Sequence, residues 1–205
     1  TTAVTGNCGL TLAPCSAKHL EDLELYLRPF LPSVMPAFTW KSFGDFLQVM
    51  EEAVPAVNLV PMVGHGTLRI AVMGFENRPC TERELETMKE LLDESLREGC
   101  HGLSTGLIYP PGSYSNLDEL EALFSVLKRH AAFYSSHLRS EGRNLEESVL
   151  EAIHLAGKYG VSVELSHHKA CPQPNWGKVK HTLAFIREAR SRGVEVRCDA
   201  YPYDG

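Results

Sequence analysis

Three residues whose side chains commonly bind metal ions stand at the ends of short apolar segments of this sequence. Cys8 follows the first such segment, and His137 and His167 follow two later ones that have the composition of β-strands. One thiolate and two imidazoles suit Zn²⁺, and three protein ligands leave a coordination position for water or substrate. A lone histidine is more often a hydrogen-bonded polar residue, and a lone cysteine a small buried one. The three together predict a zinc site with an open position.

Strands alternate with helices along most of the chain, so a parallel α/β sheet is predicted. Capping residues and apolar periodicity predict helices over residues 81–99, 144–160 and 177–192, one that begins at Asn116, and weaker helices over 16–27 and 42–53. Strands are predicted over 2–5, 57–63, 100–107, 131–136, 161–166 and 194–198, and an irregular loop over 29–40.

Two arrangements of such a sheet are possible, a doubly wound open sheet and a closed (β/α)₈ barrel. The first requires Gly-x-Gly-x-x-Gly after the first strand, and the segment from Gly6 to Gly9 lacks that pattern. Polar residues at the ends of several strands favour the barrel. Six βα units are visible, so we expect an incomplete barrel, present as a central portion of a longer protein.

Composition excludes several classes of partner. The 205 residues are enough for one domain, or two, and the formal charge of −6 without a dense Lys/Arg cluster predicts no binding to nucleic acid or anionic lipid. No apolar segment approaches the ~20 residues that cross a bilayer, which predicts no membrane span. The six cysteines have no short paired spacing, which favours a reducing, cytoplasmic location.

Further polar residues lie close to the predicted ligands in the sequence. Arg139 and Lys169 stand two residues beyond His137 and His167, where an extended backbone would turn them to the same side. Cations beside a metal suit an anionic substrate group such as a carboxylate, although a solvated loop charge is the alternative for each. Two phenols also follow strand ends and are able to polarise a carbonyl or bind a carboxylate, or only pack the loop; they are Tyr109 and Tyr201. Which of His167 and His168 points inward is left open by the pattern.

The combination of motifs resembles the N-acyl-D-amino-acid deacylases, or D-aminoacylases, of the amidohydrolase superfamily. The motifs are, in order, Gly6-Asn7-Cys8-Gly9, Gly64-His65-Gly66-Thr67-Leu68-Arg69, Gly102-Leu103-Ser104-Thr105-Gly106-Leu107-Ile108-Tyr109-Pro110-Pro111-Gly112, Ser136-His137-Leu138-Arg139-Ser140-Glu141-Gly142, Ser166-His167-His168-Lys169, Asn175-Trp176-Gly177-Lys178 and Tyr201-Pro202-Tyr203. No single motif is specific, but together they extend over nearly the whole chain.

This resemblance implies a distorted (β/α)₈ TIM-like amidohydrolase barrel, of which residues 1–205 would form about strands two to seven. It implies one or two Zn²⁺ ions. The residues that match the family are Cys8, His137 and His167 as metal ligands, Lys169 and Tyr201 at the substrate's α-carboxylate, and Tyr109 at the scissile carbonyl, with Arg139 and His65 as neighbours of the site.

Two features of the family are missing from the sequence. A His-x-His pair on the first barrel strand and an aspartate that acts as general acid/base on the last strand have no counterpart. Asp199 and Asp204 belong to the strand-seven region and do not take that role. We therefore expect the segment alone to be inactive and unstable.

The implied reaction is hydrolysis of the amide bond of an N-acyl-D-amino acid, a small molecule, to a carboxylate and a free D-amino acid. One alternative is another amidohydrolase that acts on cyclic or linear amides, such as a hydantoinase-like enzyme. The other is a metal-free, non-catalytic barrel used for assembly.

Overall fold

Parallel β-strands follow one another in chain order through residues 1–32 and 37–203, which are the residues that this computed structural model describes. The strands are β1 (Thr2–Thr5), β2 (Asn58–Pro61), β3 (Val63–Gly64), β4 (Gly102–Gly106), β5 (Phe133–His137), β6 (Val163–Leu165) and β7 (Val196–Cys198). β1 and β2 form a two-stranded sheet, and β3 to β7 form a five-stranded sheet in the order of the sequence.

The segment of β2 and β3 connects the two sheets. β2 pairs with β1 and β3 pairs with β4, and only Met62 separates them. The sequence predicted a single strand over residues 57–63. The structure has two strands in this region, because the extended segment changes its pairing partner at Met62. Each strand neighbours its predecessor in the sequence, so the order does not reverse as it does in a doubly wound sheet. The predicted parallel α/β arrangement is confirmed.

Helices follow the strands closely. They are α1 (Leu20–Leu27), α2 (Phe43–Glu52), α3 (His65–Met73), α4 (Glu82–Arg97), α5 (Leu117–His130), α6 (Leu145–Tyr159) and α7 (Lys178–Ser191), with 3₁₀ turns at Ala17–His19, Arg28–Phe30, Gly112–Tyr114 and Gln173–Asn175. Six of these helices were predicted within a few residues of their ends. Residues 33–36 of the predicted irregular loop, and Asp204, lie outside the described residues. Among the described residues, no helix is both long and apolar enough to cross a membrane.

Helix α3 was not predicted, because its sequence lacks the two usual signals. Its N-cap residue, Gly64, has no side chain to accept a hydrogen bond. Every residue from His65 to Ile70 is buried, so no polar face alternates with an apolar one. The helix begins at His65, directly after β3 ends at Gly64.

Helix α4 illustrates how local sequence fixes an element. The Thr81 hydroxyl accepts a hydrogen bond from the Glu84 amide at 3.3 Å, and the Glu84 carboxylate accepts one from the Thr81 amide at 2.8 Å. This capping box satisfies two amide groups that the helix leaves unpaired. Its apolar side then buries Met88 and Leu92 in the core.

We expect Thr81→Ala to lower the free energy of unfolding of the intact protein by about 1 kcal/mol, because the cap is lost. Urea denaturation measures the difference. Thr87→Ala is the matched control, since this hydroxyl bonds the Arg83 carbonyl within the helix and caps no helix end. Equal losses in the two variants would contradict the assignment of a stabilising cap.

Three ionisable side chains are enclosed where α3 meets α5. His65 and Arg69 on α3 are fully buried and contact the carboxylate of Glu119 on α5, which is 1% exposed. His65 Nε2 lies 2.7 Å from one carboxylate oxygen, and Arg69 Nη1 lies 2.5 Å from the other. Burial alone would raise the pKa of Glu119, but the contacts with His65 and Arg69 lower it to about 2. The group forms a buried ionic cluster that joins the two helices.

Candidate metal centre

The three predicted ligands converge at the carboxyl ends of three strands. Cys8 lies three residues beyond β1, His137 is the last residue of β5, and His167 lies two residues beyond β6. One candidate ligand atom from each residue lies within 4.8 Å of the others. The Cys8 sulfur is 3.5 Å from His167 Nε2, and the two imidazole centroids are 4.2 Å apart. Residues far apart in sequence thus form one compact cluster, which is partly exposed.

Two members of this cluster have an unusual backbone conformation. Cys8 has φ +58° and His167 has φ +41°, both in the left-handed region. This conformation costs roughly 1–2 kcal/mol for a residue other than glycine. Such strain is common where surrounding structure fixes a functional side chain.

The structure resolves the choice between His167 and His168. His167 enters the cluster, whereas His168 Nε2 lies 2.9 Å from the Thr182 hydroxyl on α7. Asp199, which follows β7, accepts a hydrogen bond from the His167 amide at 2.5 Å and its carbonyl accepts one from the His168 amide at 2.8 Å. These two bonds hold the turn that directs the two imidazoles to opposite sides.

Glu141 is a member of the site that sequence reasoning did not single out. One oxygen of its carboxylate lies 2.5 Å from Lys169 Nζ and 3.3 Å from both His167 Nδ1 and His137 Nε2. Burial alone would raise its pKa, but hydrogen bonds with His167 and Lys169 and the nearby His137 lower it to about 2. Its position four residues beyond His137, in the same strand-end loop, was the available signal.

The two histidines differ in their electrostatics. Burial and the nearby His167 lower the pKa of His137 to about 4. Hydrogen bonds with Cys8 and Glu141 raise the pKa of His167 to about 9. His137 Nε2 is buried and has no hydrogen-bond partner among the described residues, because its approach to Glu141 lacks hydrogen-bond geometry. An unpartnered nitrogen beside a thiol and a second imidazole fits a metal ligand.

Tyr109 contacts the cluster from the side. Its ring packs edge-on against His137 at 5.4 Å between centroids, and its hydroxyl donates a hydrogen bond to the Cys8 carbonyl. Burial, with the nearby Tyr26 and Cys8, raises its pKa, so the phenol keeps its proton. Tyr109 therefore lies at the site, with its proton engaged by the backbone of the Cys8 turn.

Lys169 and Tyr201 lie together next to His167. Lys169 Nζ stands 5.4 Å from the centroid of the Tyr201 ring, which is itself 6.4 Å from the His167 ring. Tyr201 is 42% exposed. The ammonium, which pairs with Glu141, and the Tyr201 ring thus both lie beside the cluster.

Arg139 occupies a different place from the one expected. Its guanidinium donates two hydrogen bonds to Glu151 on α6, at 3.1 and 3.2 Å, and one to the Ser115 carbonyl at 3.1 Å. β5 ends at His137, so strand alternation does not extend to Arg139. A role for Arg139 in substrate binding stays a prediction that these contacts do not support. His65, the other expected neighbour, is buried against Glu119.

The fold and the site define a class of protein: a parallel α/β protein with a thiol and two imidazoles gathered at its strand ends, a donor set that suits Zn²⁺. No family model matches the chain. Comparisons with individual proteins are more specific. The chain is 36% identical to D-aminoacylase and 39% identical to N-acyl-D-aspartate deacylase, both from Alcaligenes xylosoxydans xylosoxydans.

These alignments cover 99% and 98% of this chain but 41% and 40% of the relatives, so the chain spans about two fifths of their length. A solved structure of N-acyl-D-glutamate deacylase from Bordetella bronchiseptica, complexed with zinc and a phosphonate inhibitor that mimics the tetrahedral intermediate, superposes with a TM-score of 0.87. It is 33% identical, and the match covers 99% of this chain and 42% of that one. The chain is homologous to the N-acyl-D-amino-acid deacylases over nearly its whole length, which confirms the resemblance seen in its motifs.

Proposed function

We propose that the intact protein hydrolyses the amide bond of N-acyl-D-amino acids to a carboxylate and a free D-amino acid. The observation that carries this proposal is the convergence of Cys8, His137 and His167 in a chain whose relatives are deacylases of this type. Residues 1–205 would form strands two to seven of a (β/α)₈ barrel. The parallel strands of the five-stranded sheet stand in the order of the sequence, as neighbouring strands of a barrel do, and this supports the arrangement.

The cluster fits one or two Zn²⁺ ions, with Cys8, His137 and His167 as ligands. The buried, unpartnered Nε2 of His137 and the mixed sulfur and nitrogen donors support this assignment. When bound, zinc acts as a Lewis acid and lowers the pKa of water from about 15.7 to about 7, which makes hydroxide available at neutral pH.

The chain's own residues would bind and orient the substrate. Lys169 would pair with the α-carboxylate beside Tyr201, while Glu141 holds the ammonium next to the ligands. Tyr109 would polarise the scissile carbonyl by exchanging one carbonyl acceptor, that of Cys8, for another, that of the substrate. The general acid/base aspartate, which takes the proton of the water and delivers it to the leaving amine, is expected outside this chain.

A cytoplasmic location for this function is supported by the cysteines. All six lie in the described residues and all are free. Free thiols persist in reducing compartments.

The test is an amidase assay on the intact protein with paired D and L enantiomers of N-acetylated aspartate, glutamate and methionine. We expect hydrolysis of at least one D substrate, no hydrolysis of its L partner, loss of activity after chelation and recovery with Zn²⁺. Metal-loaded protein that opens hydantoins and leaves all N-acyl-D-amino acids intact would instead support the hydantoinase-like alternative. Folded protein without bound metal or activity would support the assembly function.

We expect Lys169→Met to raise KM roughly 10–100-fold, because a hydrogen bond to a charged group contributes about 1.5–3 kcal/mol. The turnover number should change less, since the ammonium binds a part of the substrate that does not react. Lys158→Met is the matched control, because Lys158 pairs with Glu121 on the outer surface of α6 and α5. An unchanged KM in Lys169→Met would refute the carboxylate-binding role.

A further inference from the structure

The turn that presents Cys8 has one internal backbone bond, from the Leu10 amide to the Asn7 carbonyl at 3.1 Å, but three of its residues lie in the left-handed region. Gly6, Cys8 and Gly9 have φ values of +80°, +58° and +75°. Glycine adopts this region freely, but cysteine does not. The turn also presses against β4, since a Cβ atom at Gly9 would lie 2.8 Å from the Gly106 amide nitrogen. The position of the Cys8 thiol therefore depends on contacts with neighbouring strands.

A single buried hydroxyl on β4 bonds both sides of this turn. The oxygen of Ser104, which is fully buried, accepts a hydrogen bond from the Gly9 amide at 3.0 Å and donates one to the Gly6 carbonyl. A serine hydroxyl has one proton and two lone pairs, so it serves both groups at once. These two backbone groups flank Cys8, so the serine hydroxyl links the backbone before Cys8 to the backbone after it.

Other contacts to the turn act on one side only. The Tyr26 hydroxyl donates to the Gly9 carbonyl at 3.2 Å, and Tyr109 donates to the Cys8 carbonyl. Further along, the Thr67 hydroxyl accepts from the Thr11 amide at 3.1 Å. None of these three side chains bonds the backbone both before and after Cys8 among the described residues.

Ser104 also lies on the strand next to the one that carries His137. In the parallel register of β4 and β5, Ser104 is opposite Ser135 and Gly106 is opposite His137. The Leu107 amide then donates to the His137 carbonyl at 3.0 Å. Ser104 thus bonds the turn that carries Cys8, and it lies on β4, the strand paired with the one that carries His137.

We propose that Ser104 is a positioning residue that sets the Cys8 thiol at bonding distance from an ion shared with His137. This inference rests on the proposed function, because it takes Cys8 as a metal ligand. The Ser104 hydroxyl bonds the backbone on both sides of Cys8, so it would not itself be a ligand of the ion. It acts through the backbone of the Cys8 turn, which would otherwise relax from its left-handed conformation and move the sulfur.

The experiment compares Ser104→Ala with Ser95→Ala in the intact protein. Ser95 is an equally buried serine whose hydroxyl, within the described part of the chain, bonds only the Leu91 carbonyl of α4, so it controls for the loss of a buried hydroxyl. Zinc affinity is measured by competition with a chromogenic chelator, and thermal unfolding is followed by circular dichroism. In the metal-free proteins, modification of Cys8 by a thiol reagent is timed by peptide mass spectrometry.

We expect Ser104→Ala to lower zinc affinity by roughly 10–100-fold, the effect typical of groups that orient metal ligands. Cys8 should also react faster in the metal-free variant, because the turn opens more often. Ser95→Ala should change neither quantity. Equal zinc affinities and equal Cys8 reaction rates in the two variants would overturn the proposal.

A second variant keeps the test decisive if Ser104→Ala does not fold. Ser104→Thr retains the hydroxyl and should bind zinc nearly as the parent does, whereas a folded threonine variant with weak affinity would contradict the proposal. Failure of the proposed function is separate from this outcome. A protein that binds zinc through Cys8 but leaves every N-acyl-D-amino acid intact refutes the deacylase activity, while the affinity difference at Ser104 persists.

Discussion

Cys8→Ala is expected to leave the intact protein folded but unable to retain zinc or to hydrolyse its substrate. The change removes one of three side chains that converge within 4.8 Å. In the proposed deacylase, loss of the ion would remove several kcal/mol of transition-state stabilisation, which corresponds to a fall in turnover of roughly 10³-fold or more. Zinc content after dialysis and the rate of amide hydrolysis measure the effect.

The matched control is Cys15→Ala. Cys15 is also a free, half-buried cysteine, but its thiol donates a hydrogen bond to the Leu12 carbonyl and it does not enter the cluster. We expect normal zinc content and activity from this variant. If Cys8→Ala keeps the parent's zinc content and rate, the metal centre is assigned to the wrong residues.

Glu119→Ala is expected to lower the free energy of unfolding by about 3–5 kcal/mol, because it leaves a buried guanidinium without its counter-ion. Arg69 is fully buried, and its Nη1 pairs with this carboxylate at 2.5 Å. Urea denaturation at neutral pH measures the loss. Glu121→Ala is the control on the same helix, where the solvent-exposed pair with Lys158 should contribute much less to stability.

The stabilising effect of Glu119 should also depend on pH in a defined direction. Its pKa in the folded protein is about 2, below the ordinary value of 4.5. The unfolded chain therefore binds this proton first as the pH falls, so the contribution is complete above about pH 4.5 and disappears toward pH 2. The difference in stability between the parent and Glu119→Ala should shrink across this interval. A difference that stays constant from pH 5 to pH 2 would show that the carboxylate's charge is not what stabilises the cluster.

The sequence allowed correct prediction of elements whose signals are local. α4 and α5 begin at capping residues, Thr81 and Asn116, that the structure shows bonded to the amide of the third helical residue. α3 was missed because its stability comes from burial on all sides and from the ionic cluster with Glu119, and neither leaves a periodic pattern.

The residues of the candidate site also fall into two groups, those that a local sequence signal predicted and those that it did not. Cys8, His137 and His167 were found because each stands at the end of a strand or within three residues after it, and parallel strands end at one edge of a sheet. Glu141 was missed because its contacts depend on how the loop after His137 folds back, which strand alternation does not describe. The position of Arg139 was not predictable for the same reason, since the guanidinium lies beyond the end of β5 and bonds Glu151 on α6.

The extended segment changes from one sheet to the other at Met62, and the three candidate ligands come from both sheets. Cys8 follows β1, which belongs to the two-stranded sheet, while both histidines belong to the five-stranded sheet. An ion held by all three would add a link between the two sheets, which are also joined by the segment of β2 and β3 and by the hydrogen bonds of Ser104 to Gly6 and Gly9. Its release would remove one of these links, so that the loaded and unloaded forms would differ in rigidity as well as in reactivity.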